Sequence, residues 1–208
     1  DRIVPPEPIS SSERRQIILR LNQIIEHRLV TSPGGRPARM HPVKIENGRV
    51  TFLVENEFEA SLTLLSDTPA TPWQLLDVTI LVQDKDTGEG RSLVHPMQVG
   101  FIKQVVQSHL LEGPRPLHGL YRALHCLCQS LQLEVLYSQA QKLVADRLGD
   151  YIRIEEYKPG ACLTISYWRE LVLTTVSDGG TGAGRASIQR FNQAPNIGAG
   201  FCFSVQVD

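Results

Sequence analysis

Two imidazoles and two thiols lie within a short span of one another: His118, His125, Cys126 and Cys128, in the stretch LHGLYRALHCLCQSLQLEVL. Residues of these types bind zinc or serve as nucleophiles when a fold brings them together. Zinc motifs place paired thiols as Cys-x₂₋₄-Cys on a turn that aims both sulfurs at one point. Cys126 and Cys128 are only two apart, and on a helix they differ by about 200°, so their sulfurs point opposite ways. His125 shares a face with Cys128, and His118 with His125, but two further ligands would have to come from elsewhere. The flanking leucines favour core packing, since cysteine is a frequent small hydrophobe. A nucleophilic cysteine also wants a base or a helix N-terminus beside it, and both thiols fall well inside the expected helix.

Other chemistry-bearing strings are weaker. DKDTGEGRSLVH starts like a calcium loop at Asp84, but its sixth position is Glu89 where glycine is required, and its twelfth is His95 where glutamate is. GGTGAG, Gly179 to Gly184, resembles a phosphate-binding loop. It lacks the Gly-Lys-Ser/Thr ending, and Arg185 with a strand-like ASIQRF follows it instead of a helix. Ser166-Tyr167-Trp168 has none of the glycines of a nucleophile elbow. The expectation is therefore no catalytic residue, no metal and no cofactor.

Composition narrows the classes further. Of 208 residues, 41% are hydrophobic and 21% charged, as in globular proteins, and the formal net charge of -1 gives no general pull toward nucleic acid or anionic lipid. No apolar run reaches the roughly 18 residues that a membrane span needs. Four cysteines in a chain of this length suggest reduced thiols in an intracellular compartment. DRIVPPEPIS has no signal-peptide pattern and no initiator Met, so the chain is expected to be cut from a longer protein.

The elements that would position these residues follow from periodicity. Pro5, Pro6 and Pro8 make residues 1–12 an extended arm. Ser10, Ser11 and Ser12 offer N-caps to a helix carrying Ile17, Ile18, Leu21, Ile24, Ile25 and Leu29 on one face. Asn47-Gly48 joins two β-prone runs, as a type I′ hairpin requires. EFEASLTLL alternates Phe58, Ala60, Leu62 and Leu64 with a wet face of Glu57, Glu59, Ser61 and Thr63. In WQLLDVTILVQ, Leu76, Val78, Ile80 and Val82 alternate with Leu75, Asp77, Thr79 and Leu81.

From about Val94 the period becomes helical, through Val99, Ile102, Val105, Val106 and Leu110. A second helix is expected from Pro116 to Leu148, ended by Gly149, with apolar stripes on two faces. YIRIEEYKPGACLTISYW reads as a hairpin about Lys158-Pro159-Gly160-Ala161, with ELVLTTV, ASIQRF and FCFSVQV as later strands. Segregated runs argue for an α+β fold: an antiparallel sheet with an N-terminal helix and two following helices, then a second β-rich portion. The expected divisions are an arm at 1–12, a helix-sheet-helix-helix module at 13–150, and a β-rich portion with the glycine-rich loop at 151–208.

Long strings carry a resemblance. DRIVPPEPIS, LNQIIEHRLV, NGRVTFLVENEFEASLTL, PWQLLDVTILVQDKDTGEGRSLVH and LCQSLQLEVLYSQ resemble the Mediator subunit 14 family, in the family's order, over residues 1 to about 168. The resemblance implies a nuclear, non-enzymatic scaffold in the N-terminal half of that subunit. Its partners would be other Mediator subunits of the head and middle modules, and RNA polymerase II through the assembled complex. It implies no direct nucleic acid, membrane or small-molecule substrate. It also implies a helix, sheet, helix, helix order similar to an RWD or ubiquitin-conjugating scaffold, although Gln83 to Pro96 contains no cysteine to conjugate through. Aromatic anchors dominate such interfaces, and Trp73, Tyr121 and Tyr137 are the expected contact residues. The rival classes are a metal- or thiol-dependent enzyme built on His118, His125, Cys126 and Cys128, and a nucleic-acid-binding module.

Overall fold

A computed structural model describes residues 9–32, 34–68, 70–86, 92–149, 151–167 and 201–207. The arm at 1–8, Trp168, the glycine-rich loop and the strands expected in ELVLTTV and ASIQRF lie outside the described residues. The fold is α+β; the described residues form an N-terminal helix, a four-stranded and a three-stranded antiparallel sheet, and two helices between the sheets in sequence. The chain forms two compact units, Asp1–Gln132 and Leu133–Asp208.

In the first unit, helix α1 (Ser11–Thr31) opens on a capping box. Ser10 accepts from the Glu13 amide, and the Glu13 carboxylate accepts from the Ser10 amide, at 3.3 and 2.9 Å. The Ser10 hydroxyl, which donates to the Glu13 carboxylate at 2.8 Å, and after it the Ser10 amide hold the Glu13 carboxyl below its ordinary pKa. Strands β1 (His41–Glu46), β2 (Arg49–Val54), β3 (Phe58–Leu64) and β4 (Trp73–Ile80) pair in sequence order. Directly paired Val50 and Leu62, Phe52 and Ala60, and Val54 and Phe58 line the buried face. On the other face Thr51 and Ser61 meet hydroxyl to hydroxyl at 3.1 Å.

The β1–β2 turn has Asn47 at φ 52° and Gly48 at φ 73°, as a type I′ turn demands. α1 then locks it: Asn22 accepts from the Gly48 amide at 2.9 Å, and Thr63 donates to the Gly48 carbonyl at 2.6 Å. A Cβ at Gly48 would meet Leu21 Cδ2 at 2.6 Å. That contact accounts for the burial of Thr63, which its place on the outer face of β3 did not suggest.

Strand β4 departs from simple alternation. The register slips between Ser61 and Leu62, so Ser61 pairs with Asp77 while Leu62 pairs with Leu75. The bulge leaves Leu76 unmatched and exposed, and puts Trp73, Leu75 and Val78 on the buried face. Helix α2 (Pro96–Leu111) lies along this strand. Gln107 Oε1 accepts from the Leu75 amide at 2.8 Å, and its Nε2 donates to the Trp73 carbonyl at 3.1 Å. One side chain so takes the donor and acceptor that a fifth strand would have used. One turn earlier Lys103 pairs with Asp77 at 2.7 Å, and Asp77 caps the Val78 amide at 2.9 Å. Lys103 holds the Asp77 carboxyl below its ordinary value of 3.8, so the small contribution of this exposed pair is present above that pH and lost as the pH falls below it.

Helix α3 (Pro116–Leu143) starts on Pro116, as expected, but turns π-helical over Val144–Leu148. Gly149 ends it, as expected, with a right-handed φ of -60°. Its lack of a side chain matters for another reason: a Cβ there would stand 2.8 Å from the Val144 carbonyl oxygen. In the second unit, strands β5 (Ile152–Lys158), β6 (Cys162–Tyr167) and β7 (Phe201–Gln206) pair in that order. The β5–β6 turn closes through Ala161 N–H to Lys158 O at 3.0 Å, with Gly160 at φ 67°.

Gly48→Ala should cost at least about 1 kcal/mol, because it adds an unfavourable φ to a side-chain collision. Gly100 lies in α2, and a Cβ there would meet nothing within 4 Å, so Gly100→Ala should raise stability by about 0.5–1 kcal/mol. Urea unfolding of both variants checks the opposite signs.

Candidate functional site

The residues singled out in the sequence part company in the folded chain. Cys128 is fully buried and Cys126 half-buried, on different sides of α3. His118 is not drawn toward them; its Nδ1 is buried without a hydrogen-bond partner. Among the described residues no three His, Cys, Asp or Glu side chains are grouped so as to hold a metal ion. His125 and Cys128 do converge, but on Glu57. His125 Nδ1 donates to Glu57 Oε2 at 2.6 Å, and Cys128 Sγ donates to the Glu57 carbonyl at 3.3 Å.

Glu57 sits at the β2–β3 turn, where Asn56 takes φ 60°. Its amide bonds the Val54 carbonyl at 3.1 Å, and its carbonyl also accepts from the Leu81 amide at 2.7 Å. Arg39 approaches its other carboxylate oxygen at 4.0 Å. Glu57 is therefore buried, although strand alternation assigned it to the wet face. The alternation failed because the turn, one residue before β3 begins, rolls this side chain beneath α3. Burial, and after it the Glu57 charge, pushes the Cys128 thiol up to about 12. The thiol is thus a weak hydrogen-bond donor at neutral pH and not a thiolate nucleophile.

The three expected contact residues have different settings. Trp73 is 1% exposed and belongs to the core of the first unit. Its place at the start of β4, beside α2, brings the indole inside; a strand-end position in sequence did not reveal that cover. Tyr121 is half-buried, stacked on His125 with ring centroids 5.0 Å apart and tilted against Phe58 at 6.3 Å. Tyr137 is half-buried and stacks on Tyr157 at 3.6 Å, while its hydroxyl accepts from Gln141 at 2.7 Å. Tyr157 in turn donates to the Glu134 carboxylate. Burial, and then Glu134, raises the Tyr157 phenol to about 12.

Sequence reasoning missed the outer face of α2. Val106 and Leu110 are buried, while Met97, Phe101 and Leu111 on the opposite side are 81%, 68% and 61% exposed, with Val105 at their edge. Between this face and β4 lies an open hollow of about 390 Å³, bordered by Gln74, Leu75, Lys103, Gln104 and Leu111. The signal was present in MQVGFIKQVV, where apolar residues recur on both sides of the helix. Only burial shows which side the chain itself covers.

These features define an α+β chain of two antiparallel-sheet units, with a pinned internal glutamate and an apolar helix face left open. The family profile described as Mediator complex subunit MED14 matches residues 1–66, and that described as Mediator of RNA polymerase II transcription subunit 14, RM2, matches residues 144–208. Similar proteins named Mediator of RNA polymerase II transcription subunit 14 occur in Aedes aegypti, Homo sapiens and Caenorhabditis elegans. The first is 55% identical over 171 residues, covering 82% of this chain and 11% of that protein. The human protein is 47% identical over 190 residues, 91% of this chain and 12% of its own length. The nematode protein is 41% identical over 169 residues, 81% and 11%. The chain belongs to the Mediator subunit 14 family, and it spans about a tenth of the length of these relatives.

Cys128 should resist a thiol reagent in the folded protein at about pH 8 and react only on unfolding, while Cys126 reacts earlier. Peptide mapping after timed labelling distinguishes the two. Glu57→Gln and His125→Ala should each destabilise the chain and combine non-additively, with a coupling of about 0.5–3 kcal/mol in a double-mutant cycle.

Proposed function

We propose that this chain is an architectural module of the Mediator coactivator. It holds other subunits, those of the head and middle modules, by protein–protein contacts, and so supports RNA polymerase II transcription in the nucleus. No bond is made or broken. The relatives' shared name supports the assembly, and the exposed apolar face of α2 is the observation that carries the mode of contact. That face is chemically suited to the apolar side of another Mediator subunit. The helix's only full charge, Lys103, lies on its strand-facing side, paired with Asp77, so a partner can cover the apolar face without stranding an ion. The first sheet is a poorer docking edge. Gln107 occupies the outer groups of β4, and Pro42 and a register shift interrupt β1.

Tyr121 and Tyr137 stay in the proposal as contact residues, each presenting the ring edge its intramolecular stack leaves open. Phe101 is the better anchor. In Mediator assembled with the variant, Phe101→Glu should lower recovery of a partner subunit at least tenfold, about 1.4 kcal/mol. Its unfolding free energy should shift by no more than about 0.5 kcal/mol, as for other exposed positions. Unchanged recovery in Phe101→Glu and Met97→Glu would remove this face from the assembly. Tyr121→Ala, measured alongside, should cost both recovery and stability, because its ring also covers His125.

A further inference from the structure

The loop between β3 and β4 reads Ser66-Asp67-Thr68-Pro69-Ala70-Thr71-Pro72, with two Thr-Pro dipeptides three residues apart. Thr68 and Pro72 are exposed and Thr71 half-buried. The two threonine hydroxyls lie 2.5 Å apart. Beside them stand two arginines of α1. Arg28 donates through Nη1 to the Thr68 carbonyl at 3.2 Å and through Nη2 to the Thr71 carbonyl at 2.9 Å. Arg20 pairs with Asp67 at 3.1 Å and so offsets the one acidic neighbour within the loop.

We propose that the Thr68–Thr71 pair is a phosphorylation site for a proline-directed serine/threonine kinase, and that Arg28 receives the phosphate. The hydroxyl oxygen attacks the γ-phosphorus of ATP, the bond to the β–γ bridging oxygen breaks, ADP leaves, and the hydroxyl proton passes to the kinase's base. A guanidinium has five N–H donors, and the two carbonyls use two of Arg28's, so a phosphate on either threonine finds donors already aimed at the loop. The threonine left unmodified donates its own hydroxyl to the phosphate. The result is a charged strap fastening the loop to α1. Ser32-Pro33 is the third such dipeptide in the chain. Ser32 is the C-cap of α1, where a phosphate would oppose the helix dipole.

The test uses the full 208-residue chain carrying Ser32→Ala, with Mg-ATP and a proline-directed kinase. Mass spectrometry should find one phosphate on Thr68 or Thr71, absent from the Thr68→Val/Thr71→Val variant. The modified chain should melt about 2–4 °C higher. Arg28→Gln should still accept phosphate but lose that rise. The site is overturned if a synthetic peptide of the loop is phosphorylated while the folded chain is not. The receiving role of Arg28 is overturned if the melting rise is absent, or survives in Arg28→Gln.

Discussion

Glu57 is the constraint on which the first unit turns. A carboxylate taken out of water is costly unless its oxygens find partners. Here the side chain meets His125 and the approaching Arg39, and the main chain meets Val54, Leu81 and the Cys128 thiol. Five groups from the sheet, the loop before it and α3 are satisfied only if α3 crosses the β2–β3 turn at one height. Gln132 adds a bond to the neighbouring Asn56 carbonyl at 3.5 Å. The leucines of α3 supply the apolar attraction, but leucines tolerate sliding. The polar cluster does not, and it sets the register of helix against turn.

A second constraint acts at the far edge of the same sheet. The bulge at Leu76 turns the chain so that the outer groups of Trp73 and Leu75 face α2, where Gln107 meets both. Lys103, one turn away, holds Asp77. Two polar side chains at i and i+4 thus fix which side of α2 lies inward. The apolar residues opposite them are left outward by geometry, because the inner side is already committed to the strand.

How much of this was readable in advance depended on the range of the interactions. Local chemistry was plain: Asn47-Gly48 demanded its turn, Ser10 to Ser12 offered the helix its cap, and Lys158 to Ala161 demanded their hairpin. Strand alternation gave the buried face of β3. It failed where one extra residue entered, at Leu76, and where a turn residue was drawn inward, at Glu57. Both depend on partners far along the chain, and no window of neighbouring residues contains them. The opposed directions of Cys126 and Cys128 followed from helical geometry alone. That His125 and Cys128 would meet at a glutamate near residue 60 did not, because a helix face names no partner. Trp73 shows the same limit, since the Gln107 side chain that meets its carbonyl lies more than thirty residues away.

The π-helical stretch at Val144–Leu148 has a consequence for length variation in the second unit. A π turn is an α-helix that has absorbed one additional residue. Deleting a single residue there would restore regular α-helical winding while the residues on either side keep their faces. This short segment is therefore the place where a one-residue indel is soaked up within the helix, and not as a broken helix.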